Sequence, residues 1–75
     1  MARTIMVFEP CKISKREIKA IQTRISQLKA ELKWLKQHRH APDVDAVIPL
    51  VTADLMTQEA LLAGWEEFAS IFGCR

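Results

Sequence analysis

Four side chains in this 75-residue sequence are soft or imidazole ligands that could form a zinc site, and two of them could form a covalent cross-link: Cys11, Cys74, His38 and His40. Two cysteines and two histidines are a common ligand set for zinc, and two cysteines alone can form a disulfide. Which of these is feasible depends on the elements that position the four residues. The spacing of the apolar residues predicts those elements.

The first half of the sequence has a continuous heptad pattern. Its large apolar residues are spaced alternately by three and four positions, at Ile18, Ile21, Ile25, Leu28, Leu32 and Leu35. This spacing puts them on one helix face and is typical of a coiled-coil seam. Ser14 and Glu17 match a capping box, and Pro42 disfavours helical geometry at the residue before it. We therefore predict a first helix over about residues 14–40.

An extended N-terminal arm is predicted before this helix. Residues 4–8 are β-branched and aromatic enough for a short strand, which Pro10 would end. We assign residues 1–11 to the arm and residues 12–75 to the helical part of the chain.

The heptad pattern resumes after a predicted turn at residues 41–43. Seam positions from Val44 to Phe72 alternate by four and three, which predicts a second helix over about residues 44–72. Pro49 either kinks this helix or marks a second start. Gln58 places a polar side chain in the seam, where it is either tolerated or fixes the register and the oligomeric state.

The two seams match each other in a single antiparallel register. Helices joined by a short turn lie antiparallel, so the numbers of facing residues have a constant sum. That sum is 83 both for Ile18 with Trp65 and for Leu35 with Ile48, and half of 83 falls at the predicted turn. We therefore predict an all-α fold, an antiparallel coiled-coil-like hairpin of two helices.

This register separates the two cysteines from the two histidines. The cysteines fall at the open end of the hairpin and the histidines at its turn, roughly 35–40 Å away at ~1.5 Å per residue. We therefore predict no metal site and no cofactor. For Cys11 and Cys74 two alternatives remain: an intramolecular disulfide, or two reduced thiols, since disulfides are rare in the cytosol.

Charge is distributed unevenly along the chain. Residues 12–40 carry nine Lys and Arg against two Glu, a net charge of +7, whereas residues 41–75 carry six acidic residues against one Arg, a net charge of −5. Antiparallel pairing would bring Lys15 next to Glu66 and Lys36 next to Asp45. An exposed ion pair contributes only about 0–1 kcal/mol, so we expect this edge to select the orientation of the helices.

The opposite edge has more apolar residues than one partner helix can cover. Burying four or five of these side chains would contribute on the order of 6–15 kcal/mol. We therefore predict oligomerisation, most simply a homodimer that forms a four-helix bundle, or the binding of a protein partner. The expected interface residues are Trp34, Val47, Leu50, Leu61, Phe68 and Ile71.

Four basic residues of the first helix are not used by the edge pairing: Lys12, Arg16, Lys19 and Lys33. They either form a solvated surface or contact nucleic-acid phosphates.

The sequence has no nucleophile–base pair, phosphate-binding loop or paired core carboxylates, so we expect neither an enzyme nor a small-molecule substrate. Asp54 and Glu59 interrupt the longest apolar run, and residues 1–8 lack the features of a signal peptide. We therefore expect no membrane partner and a cytoplasmic location.

The function that we expect is that of a small interaction module, such as a regulator, adaptor or dedicated chaperone, acting through the apolar face of the second helix. The alternative is a nucleic-acid-binding regulator that uses the basic face of the first helix.

Overall fold

The computed structural model describes residues 9–74, and these form an all-helical antiparallel hairpin. Helix α1 spans Pro10–Gln37 and helix α2 spans Val44–Ile71, with residues 38–43 as the connection. No strand occurs within residues 9–74. The predicted two-helix hairpin is confirmed, while the strand predicted at residues 4–8 lies outside the described part of the chain.

Helix α1 begins four residues earlier than the sequence pattern suggested. Pro10 occupies its first position, where a missing N–H costs nothing and the fixed φ suits a helix. Glu9 is the N-cap residue, without a side-chain capping bond. The predicted capping box at Ser14 is therefore wrong, and residues 10 and 11 belong to α1 instead of to an extended arm.

Helix α1 also ends three residues before the predicted boundary at His40. The backbone N–H of His38 donates to the carbonyl of Leu35 at 3.1 Å. This bond spans three residues instead of the four of an α-helix, so the last turn is tighter. The carbonyl of Trp34 accepts instead from the His38 ring Nδ1–H at 2.7 Å. The His38 ring thus takes the place of the His38 backbone N–H as the donor to the Trp34 carbonyl, and the helix can end here.

Helix α2 begins at Val44, as predicted, and runs without interruption through Pro49. It ends in a Schellman motif around Gly73, which has φ +67°. The N–H of Gly73 donates to the Ser70 carbonyl at 3.0 Å, and the N–H of Cys74 donates to the Ala69 carbonyl at 2.8 Å. This motif turns the chain so that Cys74 points back toward α1.

The packed core lies mainly in the half of the hairpin nearest the turn. Its cluster of buried residues consists of Leu28, Leu35, Val44, Ile48 and Val51. Toward the open end, Ile21 and Ile25 are still buried, whereas the seam residues Ile18 and Trp65 are half-buried. Two small residues, Ser14 and Ala69, complete the buried set there. The predicted register accounts for this pairing, because 14 and 69 also sum to 83.

The ion pairs between the chain's two halves differ from the predicted ones. Among residues 9–74, Arg24 pairs with Asp54 at 3.0 Å and Arg39 pairs with Asp45 at 3.5 Å. The predicted pairs Lys15–Glu66 and Lys36–Asp45 are not formed within 4 Å in this part of the chain. Long exposed side chains gain little from any one partner, so a neighbouring arginine can replace a lysine.

Candidate interaction surfaces

One broad side of the hairpin is largely apolar and exposed. We call it the apolar flank, and its residues are Ile13, Ala20, Trp34, Val47, Leu50, Leu61, Phe68 and Ile71. Leu50 and Ile71 are 70% and 72% exposed, and Trp34 and Leu61 are also exposed. Val47, which packs against the core cluster, and Phe68 are half-buried. Four of the six predicted interface residues are therefore accessible to a partner.

A shallow groove of about 520 Å³ lies on the α2 part of this flank. Small residues form its floor, and it is lined by Thr57, Ala60, Leu61, Gly64, Trp65 and Phe68. A Cβ atom added at Gly64 would meet no atom within 4 Å, so the space above Gly64 is open. The groove can accept one large apolar side chain.

Aromatic side chains border the groove near the open end of the hairpin. Trp65 meets Phe68 edge-on, with ring centroids 5.3 Å apart, and Phe68 meets Phe72 with centroids 4.8 Å apart. These contacts hold the rings in place on the α2 surface. A partner would therefore meet preformed walls there.

Two charges in the middle of the apolar flank, Arg24 and Asp54, are paired with each other within the chain. Asp54 accepts a hydrogen bond from the Arg24 guanidinium at 3.0 Å and a longer one from the Gln58 amide at 3.5 Å. The half-buried Gln58 thus acts, in this structure, as a polar partner for Asp54. Covering the flank would not leave either charge of the Arg24–Asp54 pair without its counter-charge.

By length and composition, α2 is also apolar enough to cross a membrane. Within its most apolar 18-residue window only 6% is buried in the structure, whereas the core helix of a soluble protein is mostly buried. Asp54 and Glu59 lie in the most apolar part of α2 without excluding the helix from this class. The expectation that the protein has no membrane partner stays a prediction.

The opposite side of α1 has a line of lysines that we call the lysine stripe: Lys12, Lys15, Lys19, Lys29, Lys33 and Lys36. All six side chains are exposed. The first three line one surface depression and the last three line another. Within residues 9–74, the carboxylate within 4 Å of the stripe is that of Glu9, 3.6 Å from Lys12.

Sequence reasoning identified Lys12, Lys19 and Lys33 as candidate contacts but missed the other members of the stripe. The signal that could have identified the whole stripe is the spacing of its lysines by three and four positions, which occurs in both groups of three. Lys15 and Lys36 were assigned to ion pairs instead, and the structure leaves them unpaired in the described range. Arg16 lies next to Glu17, with 3.9 Å between their nearest charged atoms, and is exposed.

Cys11 and Cys74 are joined by a disulfide at the open end of the hairpin, with their Cα atoms 5.2 Å apart. Helix axes usually lie 8–10 Å apart, so this bond requires small neighbours such as Ser14 and Ala69. Disulfides persist in oxidising compartments and are rare in the cytosol. The expected cytoplasmic location therefore stays a prediction that the redox state of this pair would test.

The histidines lie at the other end of the hairpin. His38 stacks on Trp34, with ring centroids 4.0 Å apart, and His40 lies 5.9 Å from His38. Within residues 9–74 no group of three His, Cys, Asp or Glu side chains is arranged to hold a metal ion.

No protein-family model, curated protein or solved structure matches this chain. Its function must therefore be inferred from its two contrasting surfaces, the apolar flank and the lysine stripe.

Proposed function

We propose that this protein is a small non-enzymatic interaction module that acts through its apolar flank, and that its first partner is a second copy of itself. The observation that carries the proposal is the exposure of Leu50, Leu61 and Ile71 along one side of α2, with Trp34 of α1 on the same side of the hairpin. Monomeric proteins rarely leave large apolar patches open to water, because such patches promote aggregation.

The size of the flank fits a stable dimer. Each helix has 28 residues and is therefore about 42 Å long, and two helices side by side are about 20 Å wide. One side of the hairpin thus offers on the order of 800 Å², close to the roughly 800 Å² per partner of a standard stable interface. Two hairpins stacked by their flanks would form a four-helix bundle.

The proposal is tested by placing a charge on each side of α2 in turn. We expect the wild-type chain to have a dimer mass in light scattering at micromolar concentration. Leu61→Asp should weaken dimerisation by at least about tenfold, since it replaces roughly 1.5–3 kcal/mol of apolar burial with a desolvated carboxylate. Sedimentation equilibrium gives the dissociation constant.

Met56→Asp is the matched control, because Met56 is 65% exposed on α2 but lies outside the apolar flank. It should keep the dimer mass. A wild-type monomer at these concentrations would contradict the proposed homodimer. If that monomer also sedimented with phosphatidylcholine vesicles, the flank would be a bilayer-contacting surface instead.

A second candidate function is supported by the lysine stripe. From Lys12 to Lys36 it runs about 36 Å along α1, at 1.5 Å per residue, and offers six ammonium groups to a polyanion. Such a surface would bind the phosphates of duplex DNA or RNA with a steep dependence on salt. The one aromatic residue of α1, Trp34, lies on the apolar flank and not beside the lysines, which disfavours recognition of unpaired bases.

This candidate is tested by fluorescence polarisation with duplex DNA and duplex RNA at two salt concentrations. Lys19→Glu/Lys33→Glu should abolish binding, while the charge-preserving Lys19→Arg/Lys33→Arg should retain it. Failure of the wild-type chain to bind either duplex at low salt would exclude the second function and leave the first one standing.

A further inference from the structure

The apolar flank has a size pattern that distinguishes between the two ways of stacking two hairpins. Along one line of the flank, at one position per heptad, Ile13 and Ile71 lie nearest the disulfide, and each helix has a large residue toward the turn and a small one two heptads nearer the disulfide. In α1 these are Trp34 and Ala20, and in α2 they are Leu50 and Gly64. The two residues of each pair are 14 positions apart, about four helical turns, and all four positions are exposed.

One arrangement places the turn of one copy over the turn of the other, so that α1 lies on α2 of the second copy. The register then puts Trp34 against Leu50 and Ala20 against Gly64, large on large and small on small. It also brings Glu31 next to Asp54 of the second copy. Overpacking at Trp34 and Leu50, a void at Ala20 and Gly64, and facing carboxylates all weaken this arrangement, although it also brings Ile13 against Ile71 beyond the void.

The other arrangement places the turn of one copy over the disulfide end of the second, so that each helix lies on its own symmetry mate. Leu50 then faces Gly64 of the second copy, and Trp34 faces Ala20. Each large residue meets a small one, and the open groove above Gly64 receives the most exposed leucine of the flank. Arg24 now lies near Glu31 of the second copy, so opposite charges meet.

The pairs on the two helices place the twofold axis of this arrangement at nearly the same level. Pairing Leu50 with Gly64 places the axis at Thr57, and pairing Trp34 with Ala20 places it at Gln27. In the hairpin register, where facing numbers sum to 83, residue 27 is level with residue 56. The two positions therefore differ by one residue, or about 1.5 Å along the helix.

We propose that two copies of this chain stack head to tail on their apolar flanks, with Leu50 of each copy seated in the Gly64 groove of the other. This inference rests on the proposed homodimer and adds its orientation and its central contact. Gly64 acts as the floor of the receiving groove, and Trp34 over Ala20 is the matching contact between the two α1 helices.

The first test exchanges the sizes of the facing residues. Gly64→Leu should fold, because its Cβ meets nothing within 4 Å and leucine suits a helix, yet it fills the groove. We expect it to weaken the dimer by at least about tenfold, as overpacking does. The double variant Leu50→Ala/Gly64→Leu again places a large residue against a small one, and its dissociation constant should return toward that of the wild type.

The second test uses the symmetry axis itself. Thr57→Cys places two thiols next to each other across the axis, so mild oxidation should give a covalent dimer in high yield. Met56→Cys, its exposed neighbour on the other side of α2, is the matched control and should remain uncrosslinked. Peptide mapping of the product identifies the link between the two introduced thiols and verifies that the Cys11–Cys74 disulfide is intact.

The outcomes separate this inference from the proposed function. Rescue by the size exchange together with cross-linking at position 57 supports the head-to-tail dimer. A wild-type dimer that shows neither leaves the homodimer in place but overturns its orientation. A wild-type chain that is monomeric in sedimentation overturns both.

Discussion

Gly73 is the residue whose backbone conformation connects the end of α2 to the disulfide. Its φ of +67° lies in the left-handed region, which costs other L-residues roughly 1–2 kcal/mol. We expect Gly73→Ala to lower the free energy of unfolding by about 1 kcal/mol, measured by urea titration of the helical circular dichroism signal. Gly73→Asn is the control, because asparagine tolerates this conformation, and it should cost clearly less. Equal losses for both variants would contradict the assigned role.

Ser14 is the most buried side chain described, with 1% exposure, and sits where the helices approach each other beside the disulfide. Its hydroxyl donates to the Cys11 carbonyl at 3.1 Å within α1. Ser14→Leu should destabilise the hairpin by about 1–3 kcal/mol, because a larger side chain forces the helices apart. Ser14→Ala keeps the size and should change the free energy of unfolding by less than about 1 kcal/mol. Thermal unfolding of both variants measures the difference.

At the scale of single residues, the sequence pattern singled out Ser14 but suggested the wrong role for it. Ser14 was assigned as a helix cap because serine three residues before glutamate matches a capping box. The same residue also falls on the backward extension of the α1 seam, together with Cys11, seven positions before Ile18. That signal was available, but a serine and a cysteine in seam positions do not register as apolar. Only the close approach required by the disulfide makes small residues suitable there.

Pro49 is the clearest irregularity at the scale of the helices. It lies inside the continuous α2, where it has no N–H to donate to the carbonyl of Asp45. We expect Pro49→Ala to raise the free energy of unfolding by about 1–3 kcal/mol. The substitution removes the cost of proline inside a helix, and the greater freedom of the unfolded chain offsets part of this gain. Urea titration measures it. Pro42→Ala, in the connection, is the control and should lower stability slightly; a loss of stability in Pro49→Ala would show that the proline is accommodated without cost.

The existence, pairing and register of the two helices could be predicted from the sequence, because all three follow from the heptad spacing. The buried residues of the core cluster are seam residues, from Leu28 and Leu35 on α1 to Ile48 and Val51 on α2. The ends of α1 could not be placed in the same way. They depend on local bonds, such as the His38 ring to the Trp34 carbonyl, that several nearby residues could have made equally well.

For the whole molecule, the sequence predicted an uncovered apolar side but not its shape. The excess of apolar residues on α2 indicated a partner. The groove above Gly64 and the pairing of Arg24 with Asp54 could not be predicted from the sequence. Both depend on how the side chains of the two helices pack against each other. The lysine stripe likewise emerged only when the lysines assigned to ion pairs proved to be free of carboxylates within the described range.

The disulfide and the core cluster stabilise opposite ends of the hairpin. The cluster lies next to the turn, whereas the open end has half-buried seam residues and a cross-link that closes a 63-residue separation. Reducing Cys11–Cys74 should therefore lower the free energy of unfolding by about 4 kcal/mol, on the chain-entropy estimate for a loop of this length. Urea titrations with and without a phosphine reductant measure this loss.

The loss of stability should also be uneven along the chain. After reduction, hydrogen exchange of backbone amides should accelerate first in the open-end turns of both helices, around residues 11–18 and 65–72, while amides near the core cluster remain protected. Cys11→Ser/Cys74→Ser should reproduce this exchange pattern and should not respond to the reductant. Uniform acceleration along both helices would instead mean that the hairpin unfolds as one cooperative unit. The core cluster would then be unable to hold the turn half together without the cross-link.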